Sequence, residues 1–175
     1  MDNLGEAVDA VRSGDTAAFQ RIVDATQVRL VRLGARMLGS VADAEDVVQE
    51  AYVKAYRALL TGEFDGRANV ATWLYRIVTN QAIDSMRSRA RRPKPTDVAD
   101  ESTSDWASAE QKLALAELSD FISELPADQR AALVLKTVEG LTSPEIAEIL
   151  QCSEGAVEQR LVRARAALRK RSAMS

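Results

Sequence analysis

The 175-residue sequence predicts an all-α protein: two small helical domains joined by a flexible acidic linker, the C-terminal one a four-helix unit with a helix-turn-helix. Three observations predict it. Apolar residues recur at helical spacing through most of the chain, and strand-like alternation is absent. Helix stops recur at Gly39, Gly62, Pro93 and Gly140, and Pro126 suits a helix start. From Pro93 to about Ser104 the chain is rich in Pro, Asp, Ser and Thr with almost nothing to bury, the composition of a linker. The expected division is 1–93, a linker over 94–105, and 106–175.

The first helix is expected from about Asp15 to Leu38, carrying Phe19, Ile22, Val23, Leu30 and Leu33 and closed by Gly39-Ser40. A second follows from Val41 to Leu60, burying Ala44, Val47, Val48, Ala51 and Ala55, with Asp43, Asp46, Gln49, Glu50 and Lys54 on its outer side. Thr61-Gly62 ends it, and residues 64–69 form a loop. A third, from Val70 to about Arg91, carries Trp73, Leu74, Ile77, Val78, Ala82, Ile83 and Met86 until the prolines at 93 and 95 stop it. The spacing of Trp73 with Leu74 and Ile77 favours a core position over a stacking platform. Helix resumes near Trp106, with Leu113, Leu118, Phe121, Ile122 and Leu125 in one stripe. Pro126 opens the next helix, which carries Leu133, Val134 and Val138 and ends at Gly140.

The most informative stretch begins at Leu141. Thr142 is placed to cap a short helix, with Pro144 in its first turn and Glu145 positioned to reach back. Ile146, Ala147, Ile149 and Leu150 give that helix an apolar face. Gln151-Cys152-Ser153 is a tight turn in which Ser153 caps a second helix from Glu154. There Val157, Leu161, Ala164 and Leu168 face inward, leaving Glu158, Gln159, Arg160, Arg163, Arg165, Arg169 and Lys170 at or near the surface. A capped short helix, a turn and a basic helix in that order form a unit that reads a DNA major groove. Arginine bonds guanine or phosphate, Gln159 suits adenine, and Glu158 accepts from cytosine.

The net charge of −3 and pI near 5.2 run against the positive charge expected of a nucleic-acid binder. Distribution removes the conflict. Arg76–Lys94 holds six basic residues against Asp84, net +5, and Ala156–Arg171 six against Glu158, also net +5. Pro95–Asp128 carries nine acids against Lys112, net −8, which alone turns the total negative.

Other classes fit poorly. No apolar run is long enough to cross a bilayer and no charged-then-apolar start is present, so no membrane insertion and a cytoplasmic location are expected. A single cysteine excludes an internal disulfide, and without histidine Cys152 makes no zinc site; it reads as a small buried turn residue. Asp43, Glu45, Asp46 and Glu50 do not make an acid–base or metal site, because Glu45 points away and no histidine joins them. No cofactor, metal or catalytic residue is expected.

These strings carry a resemblance. Asp43 through Tyr52 (DAEDVVQEAY) resembles the polymerase-binding helix of the extracytoplasmic-function (ECF) sigma factors of the sigma-70 family, and Thr72 through Asn80 (TWLYRIVTN) resembles their promoter-opening helix. Leu125-Pro126 through Arg165 is similar to their upstream-element reader, and the likeness runs from about Gly14 to Lys170. It implies that Asp43, Asp46, Gln49 and Glu50 dock the clamp helices of bacterial core RNA polymerase. It also implies that Phe64, Arg67, Asn69, Arg76, Asn80, Asp84, Arg87 and Arg91 serve the minus-ten element, on the single-stranded non-template strand. Glu158, Gln159, Arg160, Arg163 and Arg165 would serve the double-stranded minus-thirty-five element, and an anti-sigma factor would be a further partner. Ala156, Glu158 and Gln159 depart from the residues commoner in relatives, and Gln151 replaces a common glycine, so no promoter sequence carries over. Two rival readings are a stand-alone helix-turn-helix regulator and a sigma mimic that sequesters an anti-sigma factor; the basic stretch from Arg76 to Lys94 argues against the first, and both basic clusters against the second.

Overall fold

The computed structural model describes residues 4–66, 68–90 and 121–173. Seven helices account for most of them: α1 (Leu4–Arg12), α2 (Ala18–Leu38), α3 (Val41–Thr61), α4 (Val70–Ala90), α5 (Ala127–Thr137), α6 (Ser143–Leu150) and α7 (Glu154–Ser172). A further helical turn at 121–124 precedes α5, and no strand occurs among the described residues. The expected linker, the helix from Trp106 with Leu113 and Leu118, and Arg67 and Arg91 lie outside the described residues.

Local chemistry sets the boundaries of the first block. Asp15 Oδ1 accepts from the Ala17 and Ala18 amides, so α2 starts three residues later than expected, after an Asp-led turn. Gly39, in the left-handed conformation at φ 75°, closes it by donating its N–H to Ala35 O. One residue on, Ser40 Oγ accepts from Asp43 N at 3.2 Å and opens α3. Pairing of α2 with α3 needs a small residue at Gly34, where an added Cβ would meet the Ala44 Cβ at 3.0 Å. Helix α1 was not expected from the sequence; it buries Ala7, Val8 and Val11 on the same core.

That core is built from Ile22, Leu30, Leu33 and Met37 of α2, Val48 and Leu59 of α3, and Leu74 and Val78 of α4. Trp73 is buried, as its spacing predicts, with its ring centroid 4.5 Å from that of Phe64. The core does not stop at the first block. Ala131, Val134 and Leu135 of α5, Ile146 and Ile149 of α6, and Val157 and Leu161 of α7 are continuous with it. Leu125, Leu133 and Ala164, with Ile122 and Leu168 against them, form a second, smaller cluster.

The join between the blocks is made on α5. Arg130 is 8% exposed, donates from Nη1 to Met37 O at 2.8 Å, and donates from Nη2 to Ser123 O and Leu125 O. Met37 O belongs to the last turn of α2, whose carbonyls have no partner within the helix, so a cation there also meets the negative end of the helix dipole. Tyr75 of α4 donates to Glu139 Oε2 at 3.0 Å just past α5. α5 ends at Thr137, before the expected Gly140, and leaves Val138 exposed instead of buried. None of the described helices is long and apolar enough to cross a membrane.

Candidate nucleic-acid interface and docking groove

An open groove of about 420 Å³ runs between α3 and α4. The helical repeat of α3 brings Asp43, Asp46 and Glu50 to its wall, while α4 supplies Gln81, Asp84 and Arg89. Gln49, one residue before Glu50, is exposed and is not among the residues that line the groove. Asp43 pairs with Arg89 at 2.6 Å; this hydrogen bond holds the carboxyl below its ordinary value of 3.8, against the opposing effect of burial and with further help from Ser40. Glu50 Oε2 accepts from Gln81 Nε2 at 3.1 Å. Four carboxylates against Lys54 and Arg89 leave the groove negative, so it suits a cationic partner surface. Sequence reasoning missed Gln81, and the family resemblance implied a DNA-backbone contact for Arg89, which here pairs with Asp43; each meets α3 across more than thirty residues of chain.

The loop before α4 is held from below. The Phe64 ring is buried against Trp73, its carbonyl accepts from Arg12, and the Arg12 guanidinium lies 5.5 Å from the ring centroid. Asn69 Oδ1 accepts from Ala71 N at 2.8 Å and so caps α4. Along α4, Arg76 and Asn80 are half-buried and Asp84 and Arg87 exposed. Arg87 lies 3.9 Å from Asp84 one turn earlier, and its Nη2 donates to both carboxylate oxygens of Asp128 on α5, at 2.8 and 3.0 Å. The predicted minus-ten residues therefore split into a buried anchor, Phe64, a capping residue, Asn69, and a polar stripe on α4.

The helix-turn-helix forms with the expected caps. Glu145 Oε2 accepts from Thr142 N at 2.7 Å and Thr142 Oγ1 at 2.6 Å, and these bonds lower the Glu145 pKa from its ordinary 4.5. Ser153 Oγ accepts from Ala156 N at 3.2 Å and opens α7. Between them Gln151 adopts φ 49°, the one non-glycine in the left-handed region among the described residues. Val157, Leu161 and Ala164 are buried and Leu168 is half-buried. Cys152 is half-buried and accepts from Arg160 Nη1 at 3.1 Å.

The five predicted upstream readers do not lie together. Glu158, Gln159, Arg163 and Arg165 are exposed, whereas Arg160 turns toward Cys152 and lies 4.0 Å from Asp128. Glu158 Oε1 accepts from Ser143 Oγ at the start of α6, a contact that fixes the carboxylate and that no local pattern announces.

A helix-turn-helix whose second helix is basic, packed on a second helical block, defines a protein of the DNA-binding class. Comparison with known proteins agrees: sigma-70 region 2 matches residues 22–92 and sigma-70 region 4 matches residues 115–168. The chain is 38% identical to the RNA polymerase sigma-H factor of Pseudomonas aeruginosa, over 94% of this chain and 91% of that one. It is 36% identical to the ECF RNA polymerase sigma factor SigW of Bacillus subtilis, over 95% of each, and 38% identical to the ECF sigma-E factor of Escherichia coli strain K12, over 92% and 90%. Among solved structures it is similar to CnrH in complex with the cytosolic domain of CnrY (TM-score 0.69, 29% identity, 97% of this chain and 96% of that one). It is also similar to the sigma factor RpoE in complex with the anti-sigma factor NepR from Bartonella quintana (TM-score 0.68, 25% identity, 87% and 94%). The chain belongs to the ECF sigma factors of the sigma-70 family, which direct bacterial RNA polymerase to promoters.

Proposed function

We propose that the acidic groove between α3 and α4 docks core polymerase through Asp43, Asp46 and Glu50, with Gln49 exposed on the same helix. The carrying observation is that three of the four expected docking residues line one negative groove whose other wall is the helix expected to open DNA. In this reading Arg76 and Asn80 on α4, with the loop anchored by Phe64 and Trp73 and started by Asn69, serve the minus-ten strand. Opening a duplex costs a few kcal/mol per extruded base, which contacts to single-stranded DNA must offset. α7 reads the upstream element through Glu158, Gln159, Arg163 and Arg165. A lone helix-turn-helix binds non-specific DNA only at about 10⁻⁴ to 10⁻⁶ M, so two readers held on one polymerase gain from mutual effective concentration. The protein acts in the cytoplasm, and an anti-sigma factor controls it; two structural relatives solved with such a partner or with a cytosolic domain bound support this.

Transcription in vitro with bacterial core polymerase and a promoter library tests the whole reading. Protein-dependent initiation from two-element promoters is expected. Asp46→Arg, which reverses charge on an exposed residue, should abolish core binding while leaving the helical content intact. Core binding unchanged in Asp46→Arg with Glu50→Arg would refute the docking assignment.

A further inference from the structure

The loop that opens α4 is gripped at its entry by a helix from outside the segment matched to sigma-70 region 2. That match begins at residue 22, whereas Arg12 closes α1. Arg12 donates from Nη2 to the Phe64 carbonyl, 52 residues away, and its guanidinium lies 5.5 Å from the centroid of the Phe64 ring. One cation therefore holds both the backbone and the side chain of one residue. The ring is 5% exposed and lies 4.5 Å from that of Trp73, so it is not free to stack on a base. Phe64 N also donates to Ala58 O at 3.3 Å, which ties the same residue back to α3.

The far end of the loop is fixed as well. Asn69 Oδ1 accepts from Ala71 N at 2.8 Å, and Asn69 O accepts from Trp73 N at 2.9 Å. Residues 65–68 thus run between two held ends, and the direction in which they leave Phe64 follows the peptide plane whose oxygen Arg12 binds. Arg12 is itself placed by α1. Ala7, Val8 and Val11 seat that helix on the core, and Asp9 stands 4.0 Å from the guanidinium one turn back. The helix dipole accounts for a basic residue in the last turn, but not for its reach to Phe64.

We propose that Arg12 is a positioning residue for the minus-ten element: through Phe64 it fixes the course of residues 65–68 and so sets how sharply that loop discriminates a non-template base. This inference rests on the reading of the loop and α4 as the minus-ten reader. Without the cation the Phe64 carbonyl loses its partner, and the loop entry gains freedom that a bound base must remove again. The loss therefore falls on base recognition.

The test uses holoenzyme assembled from core polymerase and the full chain at saturating protein, so that core affinity does not enter. Binding is measured for a single-stranded non-template oligonucleotide carrying the minus-ten element selected from the promoter library, with each base substituted in turn. Arg12→Gln should lower discrimination at one or two bases by roughly two- to ten-fold, the range for re-ordering one released group, and leave the other positions as in the wild type. Arg12→Lys, which keeps a donor and a cation, should recover most of the loss. Because the effect runs through Phe64, Arg12→Gln should add little in a Phe64→Leu background. A lower melting midpoint for Arg12→Gln with base discrimination unchanged overturns the proposal, and so does a full additional loss in the Phe64→Leu background. Replacing residues 65–68 by Gly-Ser-Gly-Ser should remove the discrimination outright; if it does not, the loop is not the reader and the failure lies in that reading.

Discussion

Replacing Arg130 by Met keeps most of the side-chain stem and removes the guanidinium, and the structure gives the cost. Three carbonyls lose a charged donor: Met37 O at the end of α2, Ser123 O, and Leu125 O, the last at 3.4 Å and hence weak. A hydrogen bond to a charged group contributes about 1.5–3 kcal/mol. Against that stands the desolvation of a cation that is 8% exposed, whose Nε has no partner and whose pKa burial pulls below the ordinary guanidinium range. Two good bonds less this penalty leave a net loss of about 2–4 kcal/mol, with a polar atom stranded on each side of the join. Urea unfolding by circular dichroism should show a lower midpoint with unchanged slope. Hydrogen exchange at the amides of 37–41 and 121–125 should accelerate together, because one guanidinium closes both segments. A loss below about 0.5 kcal/mol would show that the buried cation does not hold the blocks together. Faster exchange at 121–125 alone would confine its role to the second block.

Glu158→Arg should change preference at one upstream base pair by about 1–3 kcal/mol, and Ser143→Ala, which frees the carboxylate, should blunt wild-type discrimination at that same pair; equal binding across base variants refutes the role. Gln151→Gly should raise stability by about 0.5–1 kcal/mol, since glycine takes φ 49° without the left-handed penalty, and an unchanged or lower melting midpoint would count against strain at that turn. Tyr75 is pushed up to about 12 by burial first, then by the Glu139 charge and the hydrogen bond to it. Its contribution is full below the ordinary value of 10 and is lost as pH rises toward 12, because the exposed phenol ionises first, so stability should fall over that window and Tyr75→Phe should flatten the fall.

Much of this architecture was legible in local chemistry. Ser40 after Gly39, Thr142 with Glu145, and Ser153 after a short turn each mark a boundary with a named donor and acceptor, and the structure uses all three. The apolar stripes of α2 to α4 and of α7 marked most of the buried residues, including Trp73, while Phe19, Val23, Ile77 and Leu168 are only half-buried. Helix α1 was missed although Ala7, Val8 and Val11 lie on one face, because nine residues make too short a window for periodicity to stand out. What stayed hidden was long-range. No local pattern marks Arg130, yet it reaches a carbonyl 93 residues away. Arg160 has the spacing of a DNA contact and is turned aside by Asp128 and Cys152. Phe64 reads as part of an exposed loop, but Trp73 and Arg12 take its ring inside.

The contact of Gly34 with Ala44 acts as a bearing for the acidic groove. Ala44 follows Asp43 directly, and α3, at 21 residues, is about 30 Å long. A methyl group at Gly34 would sit 3.0 Å from the Ala44 Cβ, and a few tenths of an ångström of relief at that end would be carried along the helix as a tilt of about one degree. Small in itself, such a tilt would reach Asp43, Asp46 and Glu50 together and in the same sense. Manufacturing tolerance for the proposed docking face is thus set on the hidden side of the helix, by a residue that has no side chain to contribute.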